Sequence, residues 1–163
     1  MKKTRELAYI AVYAAMFVVL DRVQIYRLPN GGSINLSTIA LLLASYHLGW
    51  KAGLVAGLTA NLLLFVTGSL HYYGLVSLFF DYLIPYTILG GSSFFKNYGY
   101  FYSGILITGL IRLASSTFSG IVVWDTEFWA SLGYNATYII PVIIIDLLAV
   151  PAIYKAIQPV IDK

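Results

Sequence analysis

Cysteine is absent from the chain, which excludes a disulfide framework, a thiolate metal site and a cysteine nucleophile. Charge is nearly as scarce. Only 10% of the 163 residues are Asp, Glu, Lys or Arg, against roughly 25% in a soluble domain, so too little charge remains to furnish a water-facing surface. The histidines are His47 and His71, which the apolar pattern assigns to opposite ends of the molecule. They cannot share a site, and without a nucleophile–base pair or metal cluster no enzyme is expected. No phosphate loop of the form G-x-x-x-x-G-K-[ST] occurs, so any ATP-driven step must come from other subunits. No cofactor is implied. The net charge of +3 includes no basic run beyond Lys2, Lys3 and Arg5, and it does not indicate nucleic acid as a partner.

What the chain has in abundance is apolar surface: 60% of its residues are hydrophobic and the mean hydropathy is +0.81. Bilayer is the natural solvent for such a composition. The pattern predicts an all-α integral membrane protein, a single domain over 1–163, with spans at 7–23, 36–50, 52–66, 75–89, 100–124 and 135–157. Several are shorter than the ~20 residues that cross a ~30 Å hydrocarbon core. The apolar stretch 7–20 follows a basic start, but no A-x-A cleavage signal follows it, so it reads as a retained span. The break around Gly49 and Lys51 is so short that it must be a hairpin. With both termini inside, Lys2, Lys3, Arg5, Lys51, Lys96, Lys155 and Lys163 share the cytoplasmic side. Only Arg22 and Arg27 fall in outer loops, which favours an N-in, C-in topology in a cell membrane. No internal repeat of the kind found in many secondary transporters is evident.

An ionisable group inside a span costs roughly 2.5–3.5 kcal/mol on insertion scales, so Asp81, Arg112 and Asp146 each need a reason. Counted from the outer ends at 1.5 Å per residue, Arg112 lies about 18 Å deep and Asp146 about 16 Å deep. Matching depth on consecutive antiparallel helices predicts a structural ion pair between them. Asp81 is only about 9 Å from the outer end of its span. With the other two neutralising each other, it is a carboxylate facing a cavity open to the outside, and it either protonates or meets a cationic ligand. Aromatic and polar residues gather at the same level: Tyr82, Trp124, Tyr134, Asn135 and Tyr138, with His71 in the loop before span four. Interfacial anchoring accounts for single Trp and Tyr residues, but a buried amide needs partners. A carboxylate, an amide and flat rings together suit a planar, cationic heteroaromatic ligand. The first outer loop, 21–35, carries the turn signal Pro29-Asn30-Gly31-Gly32. It is either a lid or a plain connector.

At this point the residues carry a resemblance. They include Leu28-Pro29-Asn30-Gly31-Gly32-Ser33, Gly49-Trp50-Lys51-Ala52-Gly53-Leu54, Asp81-Tyr82, and Arg112 ahead of Ser119-Gly120. Tyr134-Asn135-Ala136-Thr137-Tyr138 with Pro141 completes the series. In this order the chain resembles the thiamine-specific substrate-binding subunits, or S components, of energy-coupling factor (ECF) transporters. The resemblance implies a six-helix bundle with a vitamin pocket near the outer face, covered by the first loop. It implies Asp81, Tyr82, Trp124 and Asn135 as pocket residues, flanked by Tyr134 and Tyr138. It further implies as partners a transmembrane coupling protein and two ATPases, docked on span one, where Ala8, Ala11 and Ala15 form a stripe of small residues. Without the resemblance, that stripe reads as packing against the chain's own helices.

The departures fall at Ser116, where relatives commonly carry histidine, and at Ala130, where a pocket tyrosine is usual and Trp129 stands adjacent as a substitute. A tryptophan of some relatives falls here on Gly31-Gly32. Lost contacts of this kind suit either thiamine at altered affinity or a pyrimidine precursor such as hydroxymethylpyrimidine. A solitary proton-coupled transporter, with Asp81, Arg112 and Asp146 as its relay, is the competing reading from another class.

Overall fold

The structure, a computed structural model, describes residues 3–29 and 31–161. Asn30 of the predicted turn, together with Lys2 and Lys163, lies outside the described residues. The chain is mainly helical. Helix α1 (Lys3–Arg22) leads into a hairpin of β1 (Gln24–Arg27) and β2 (Ser33–Asn35), followed by α2 (Ser37–Leu48) and α3 (Trp50–Val66). One helical rod, Gly74–Leu89, follows. It begins as α4 (Gly74–Ser77), widens to a π-helix over Leu78–Leu83 and ends as α5 (Ile84–Leu89). A small hairpin, β3 (Asn97–Tyr98) and β4 (Phe101–Tyr102), precedes the two long helices α6 (Ser103–Trp124) and α7 (Phe128–Ile161).

Among the described residues, α6 and α7 are long and apolar enough to cross a membrane, while α2, α3 and the rod 74–89 are shorter apolar helices. The brevity of α2 has a packing reason. Every residue from Ser37 to Tyr46 is buried, because α1, α3 and α7 surround it. A helix apolar on all sides belongs in the centre of a bundle. The core of Phe17, Leu41, Leu42, Leu64 and Ile105 is built around it.

Glycines permit close backbone contacts between helices. Gly53 of α3 and Gly90 after α5 meet backbone to backbone, so that a Cβ on either would overlap the other's carbonyl. Gly57 does the same against Tyr86 and Thr87. Gly53, Ala56, Gly57 and Ala60 of α3 are all buried, and small residues of this kind let helix backbones approach closely. Gly49 joins α2 to α3 at φ 88°, a conformation glycine adopts without strain.

Several predicted boundaries shift. Residues 100–102 belong to the β3–β4 hairpin rather than to a helix. The expected outer loop 125–134 shrinks to 125–127, because α7 starts at Phe128. Asp125 takes the left-handed conformation that stops α6. The π segment was not anticipated, although its cause is in the sequence. Pro85 has no N–H, and its ring crowds the carbonyl four residues earlier, that of Asp81. The preceding turn opens, and Ser115 Oγ donates to the neighbouring Phe80 carbonyl at 2.6 Å.

The close approach predicts an asymmetry between glycines. Gly53→Val should cost at least the ~1–3 kcal/mol of overpacking and lower the detergent unfolding midpoint by several degrees. Gly133→Ala, on a helix position with nothing within 4 Å of the added Cβ, should leave the midpoint unchanged or slightly raised. Thermal melts of the two variants check this.

Candidate functional site

One end of the bundle encloses a cavity of about 850 Å³. Its walls come from the end of α1, the β1–β2 loop, the loop before α4, the π segment, the C-terminal half of α6 and the first turns of α7. Asp81, Tyr82, Ser116, Trp124, Tyr134, Asn135, Tyr138 and His71 all line it, as does Ala130. Positions scattered over 67 residues of chain between His71 and Tyr138 are thus brought to one chamber.

The π turn aims Asp81 inward. Its Oδ2 accepts hydrogen bonds from Ser77 Oγ at 2.8 Å and from Ser119 Oγ at 2.6 Å. Among the described residues no cation lies within 4.0 Å of it. The carboxyl is held in place by neutral hydroxyls, without an ion pair among the described residues. π-Helical turns of this kind occur frequently at functional sites. Beside it, Tyr82 donates its hydroxyl to the His71 carbonyl at 3.0 Å, tying the rod to the preceding loop. Tyr73 and Trp124 meet edge to face, ring centroids 4.8 Å apart, at the mouth.

Asn135 spends its amide on the protein. Nδ2 donates to the carbonyls of Ser131 at 2.9 Å and Ser116 at 3.3 Å, and Oδ1 accepts the Tyr138 hydroxyl at 2.6 Å. Buried at 5% exposure, it clamps α7 to α6 and aims Tyr138. With both donors engaged, its capacity toward a ligand is one remaining lone pair on Oδ1.

The predicted ion pair does not form. Among the described residues no oxygen of Asp146 comes within 4.0 Å of Arg112. Asp146 turns instead to α2 and accepts Thr38 Oγ1 at 3.0 Å. Arg112 lines the cavity with its guanidinium 5.6 Å from the Tyr86 ring centroid. Equal depth was correct grounds for proximity, but Asp146 projects toward a third helix. Arg112 therefore belongs to the cavity wall.

Trp129 is a second correction. Its ring is 70% exposed, packs against Phe128 and does not line the cavity. Because α7 has already begun, Ala130 takes the inward direction and Trp129 points away. Sequence reasoning also missed Asp21, at the end of α1, which lines the cavity and accepts Asn35 Nδ2 at 3.1 Å. Its place beside a predicted loop disguised it as an ordinary span-end acid.

The first loop reaches across this chamber. Gly31, Gly32 and Ser33 line it, and Gly32 N–H donates to Tyr134 Oη at 3.3 Å. A Cβ on Gly32 would stand only 2.6 Å from the Tyr138 ring. A side chain at position 32 therefore has no room against Tyr138, whereas Gly31 faces open space at a φ of 98° that glycine adopts without strain. Arg22 adds a hydrogen bond from its guanidinium to Ser69 Oγ, joining the end of α1 to the loop before α4.

This geometry can be set beside known proteins. A family model described as thiamine transporter protein matches residues 7–161. The chain belongs to that family. It is 33% identical, over 88% of its length and 87% of the relative's, to the thiamine transporter ThiT of Bacillus subtilis strain 168. Its fold matches that of ThiT from Listeria monocytogenes with a TM-score of 0.83, covering 99% of each chain at 17% identity. For a member of this family, a chamber whose wall holds a carboxylate without an ion pair among the described residues is the natural place to look for the ligand.

Loop closure can be probed through the missing cysteines. A Ser33→Cys variant carries the only thiol in the chain. Adding Gly32→Val, which the Tyr138 ring opposes, should lift the loop and speed maleimide labelling of that thiol by roughly five- to a hundredfold, the equivalent of ~1–3 kcal/mol of overpacking. Equal labelling rates would mean that the loop does not rest on Tyr138.

Proposed function

We propose that this chain is the thiamine-capturing S component of an ECF-type uptake system, a six-span membrane bundle with both termini inside. The observation that carries the reading is Asp81, fixed by two serine hydroxyls in the chamber wall with no cation within 4.0 Å among the described residues. The thiazolium ring of thiamine supplies the missing positive charge. A charge-assisted contact of this sort is worth about 1.5–3 kcal/mol. Trp124, Tyr138 and Tyr82 offer aromatic faces to the planar rings, and stacking over a cationic ring adds to the attraction. Asp21 is a second acid in the same wall. The β1–β2 loop acts as the lid.

Docking on the coupling protein and its two ATPases falls to α1. Ala8, Ala11 and Ala15 are all exposed, while the packed face of the helix is Ile10, Tyr13, Ala14 and Phe17. The alanine stripe is therefore not spent on the chain's own packing, and small residues let a partner helix approach closely. A solitary proton-coupled carrier fits less well. Asp81 bonds to serines and Asp146 to Thr38, and no described hydrogen bond links either to Arg112. The small side chains at Ser116 and Ala130 leave room beside Trp124, which keeps the pyrimidine half of thiamine as an alternative ligand.

Trp124 is the tryptophan that lines the cavity, so fluorescence of the detergent-purified chain reports on occupancy. Titration with thiamine should quench it saturably, and Trp124→Phe should remove most of the signal. Asp81→Asn should weaken binding by about ten- to a hundredfold. Unchanged affinity in that variant would overturn the charge pairing. A folded wild type that ignores thiamine but binds hydroxymethylpyrimidine would transfer the site to that ligand. In liposomes the chain alone should not accumulate thiamine, with or without a proton gradient. Accumulation that collapses with the gradient would favour the solitary carrier.

A further inference from the structure

At the end opposite the cavity, the structure gathers a second set of side chains that ligand capture does not use. The α2–α3 corner, the 3-10 turn Ser92–Phe94, the β3–β4 hairpin and the last turns of α7 meet there. Ser93 bonds to Ser45 through both its N–H and its hydroxyl, and Tyr46, Tyr102 and Tyr154 pack together beneath. Ser103 Oγ donates to the Lys96 carbonyl at 2.6 Å and closes the base of the hairpin. The hairpin is thus a built feature, held to α6 and α7, and not a slack connector.

Its outer surface is aromatic. Phe94 is 66% exposed, Tyr98 62% and Tyr100 70%, a density of bare rings that water would not support. Lysines lie over Tyr98, Tyr100 and the nearby Trp50. Lys155 Nζ sits 3.2 Å from the Tyr100 centroid, Lys96 Nζ 5.7 Å from Tyr98 and Lys51 Nζ 5.3 Å from Trp50. No carboxylate among the described residues lies within 4.0 Å of these lysines. Of the other described acids, Asp21 and Asp81 line the cavity at the far end, Asp125 and Glu127 flank the α6–α7 turn there, and Asp146 is buried, while Glu6, in the first turn of α1 at the end away from the cavity, forms no ion pair with these lysines.

We propose that the β3–β4 hairpin with Lys96 and Lys155 is a binding surface for the phosphate headgroup of an anionic phospholipid. The proposal rests on the membrane-spanning reading but not on the identity of the ligand in the cavity. Rings at headgroup level anchor a chain in the interface. Lysines lay their methylene stems over such rings and present the ammonium to the phosphate layer. A basic side chain near an anionic bilayer surface gains about 1 kcal/mol, and here the Tyr98 and Tyr100 rings hold the ammonium groups of Lys96, which leads into the hairpin, and of Lys155 on α7, with no described carboxylate within 4.0 Å of either. A protein partner would be met by the same lysines only if it brought acidic residues, and nothing in the structure favours that over lipid.

Native mass spectrometry of the full chain tests this, after equilibration with mixed micelles of phosphatidylglycerol and phosphatidylcholine. The wild type should retain phosphatidylglycerol preferentially, and Lys96→Gln with Lys155→Gln should reduce the preference by about fivefold per lysine. A thermal unfolding midpoint unchanged in the double variant shows that it is folded. Should the glutamine variant not fold, the wild type alone decides: its preference should decline with added salt, as screening requires. Equal retention of both lipids, a preference untouched by the double variant, or one indifferent to salt overturns the proposal. So does displacement of the lipid by inorganic phosphate, which would make this a free-anion site. Loss of co-purification with the coupling protein in a variant whose lipid preference is intact would assign the face to a protein instead.

Discussion

Asp81 rests between two serine hydroxyls, Ser77 at 2.8 Å and Ser119 at 2.6 Å, inside a bundle of predominantly apolar helices. Keeping a carboxyl group there is the constraint around which the outer half of the molecule is organised. Pro85 opens the π turn that carries it, and Ser115 takes up the exposed Phe80 carbonyl. The serine- and threonine-rich face of α6 then has a double task. Ser119 holds the acid, while the Thr117 carbonyl accepts Ser131 Oγ at 2.8 Å and so binds α6 to α7. A cavity follows because small side chains, Ser116, Gly120 and Ala130, line the space facing the acid.

The two ends of the bundle solve opposite problems. At the cavity end, hydrogen bonds join loops to helix ends, such as Gly32 to Tyr134 and Tyr82 to His71. Hydrogen bonds between loops of this kind exchange readily with water and yield modest net energy each. The other end is closed by glycine-mediated backbone contact and by packed tyrosines. The alanine stripe of α1 lies on neither surface and remains available along the side of the bundle.

Polar groups that look alike along the chain take different roles in space. Asn135 is a clamp more than a ligand contact, because Ser116, Ser131 and Tyr138 already engage its amide. Asp146 serves the α2–α7 contact through Thr38. Arg112, freed from the expected pair, adds a cation to a chamber that also holds Asp21 and Asp81. The cavity thus carries both signs, with Asp21 and Asp81 beside Arg22, Arg27 and Arg112.

Much of this is legible in the order of the amino acids. Scarcity of charge specifies the solvent, and the apolar pattern locates the helices, because burying backbone in lipid demands helical hydrogen bonding. Depth can be counted at 1.5 Å per residue, which places Asp81, Trp124 and the Tyr134–Tyr138 segment at one level; the motifs at these positions carry the family resemblance. Direction around the helix axis is a different matter. Whether Asp146 faces Arg112 or Thr38, and whether Trp129 or Ala130 points inward, depends on where neighbouring helices lie and where α7 begins. A local sequence pattern does not encode those quantities, so tertiary packing alone decided them.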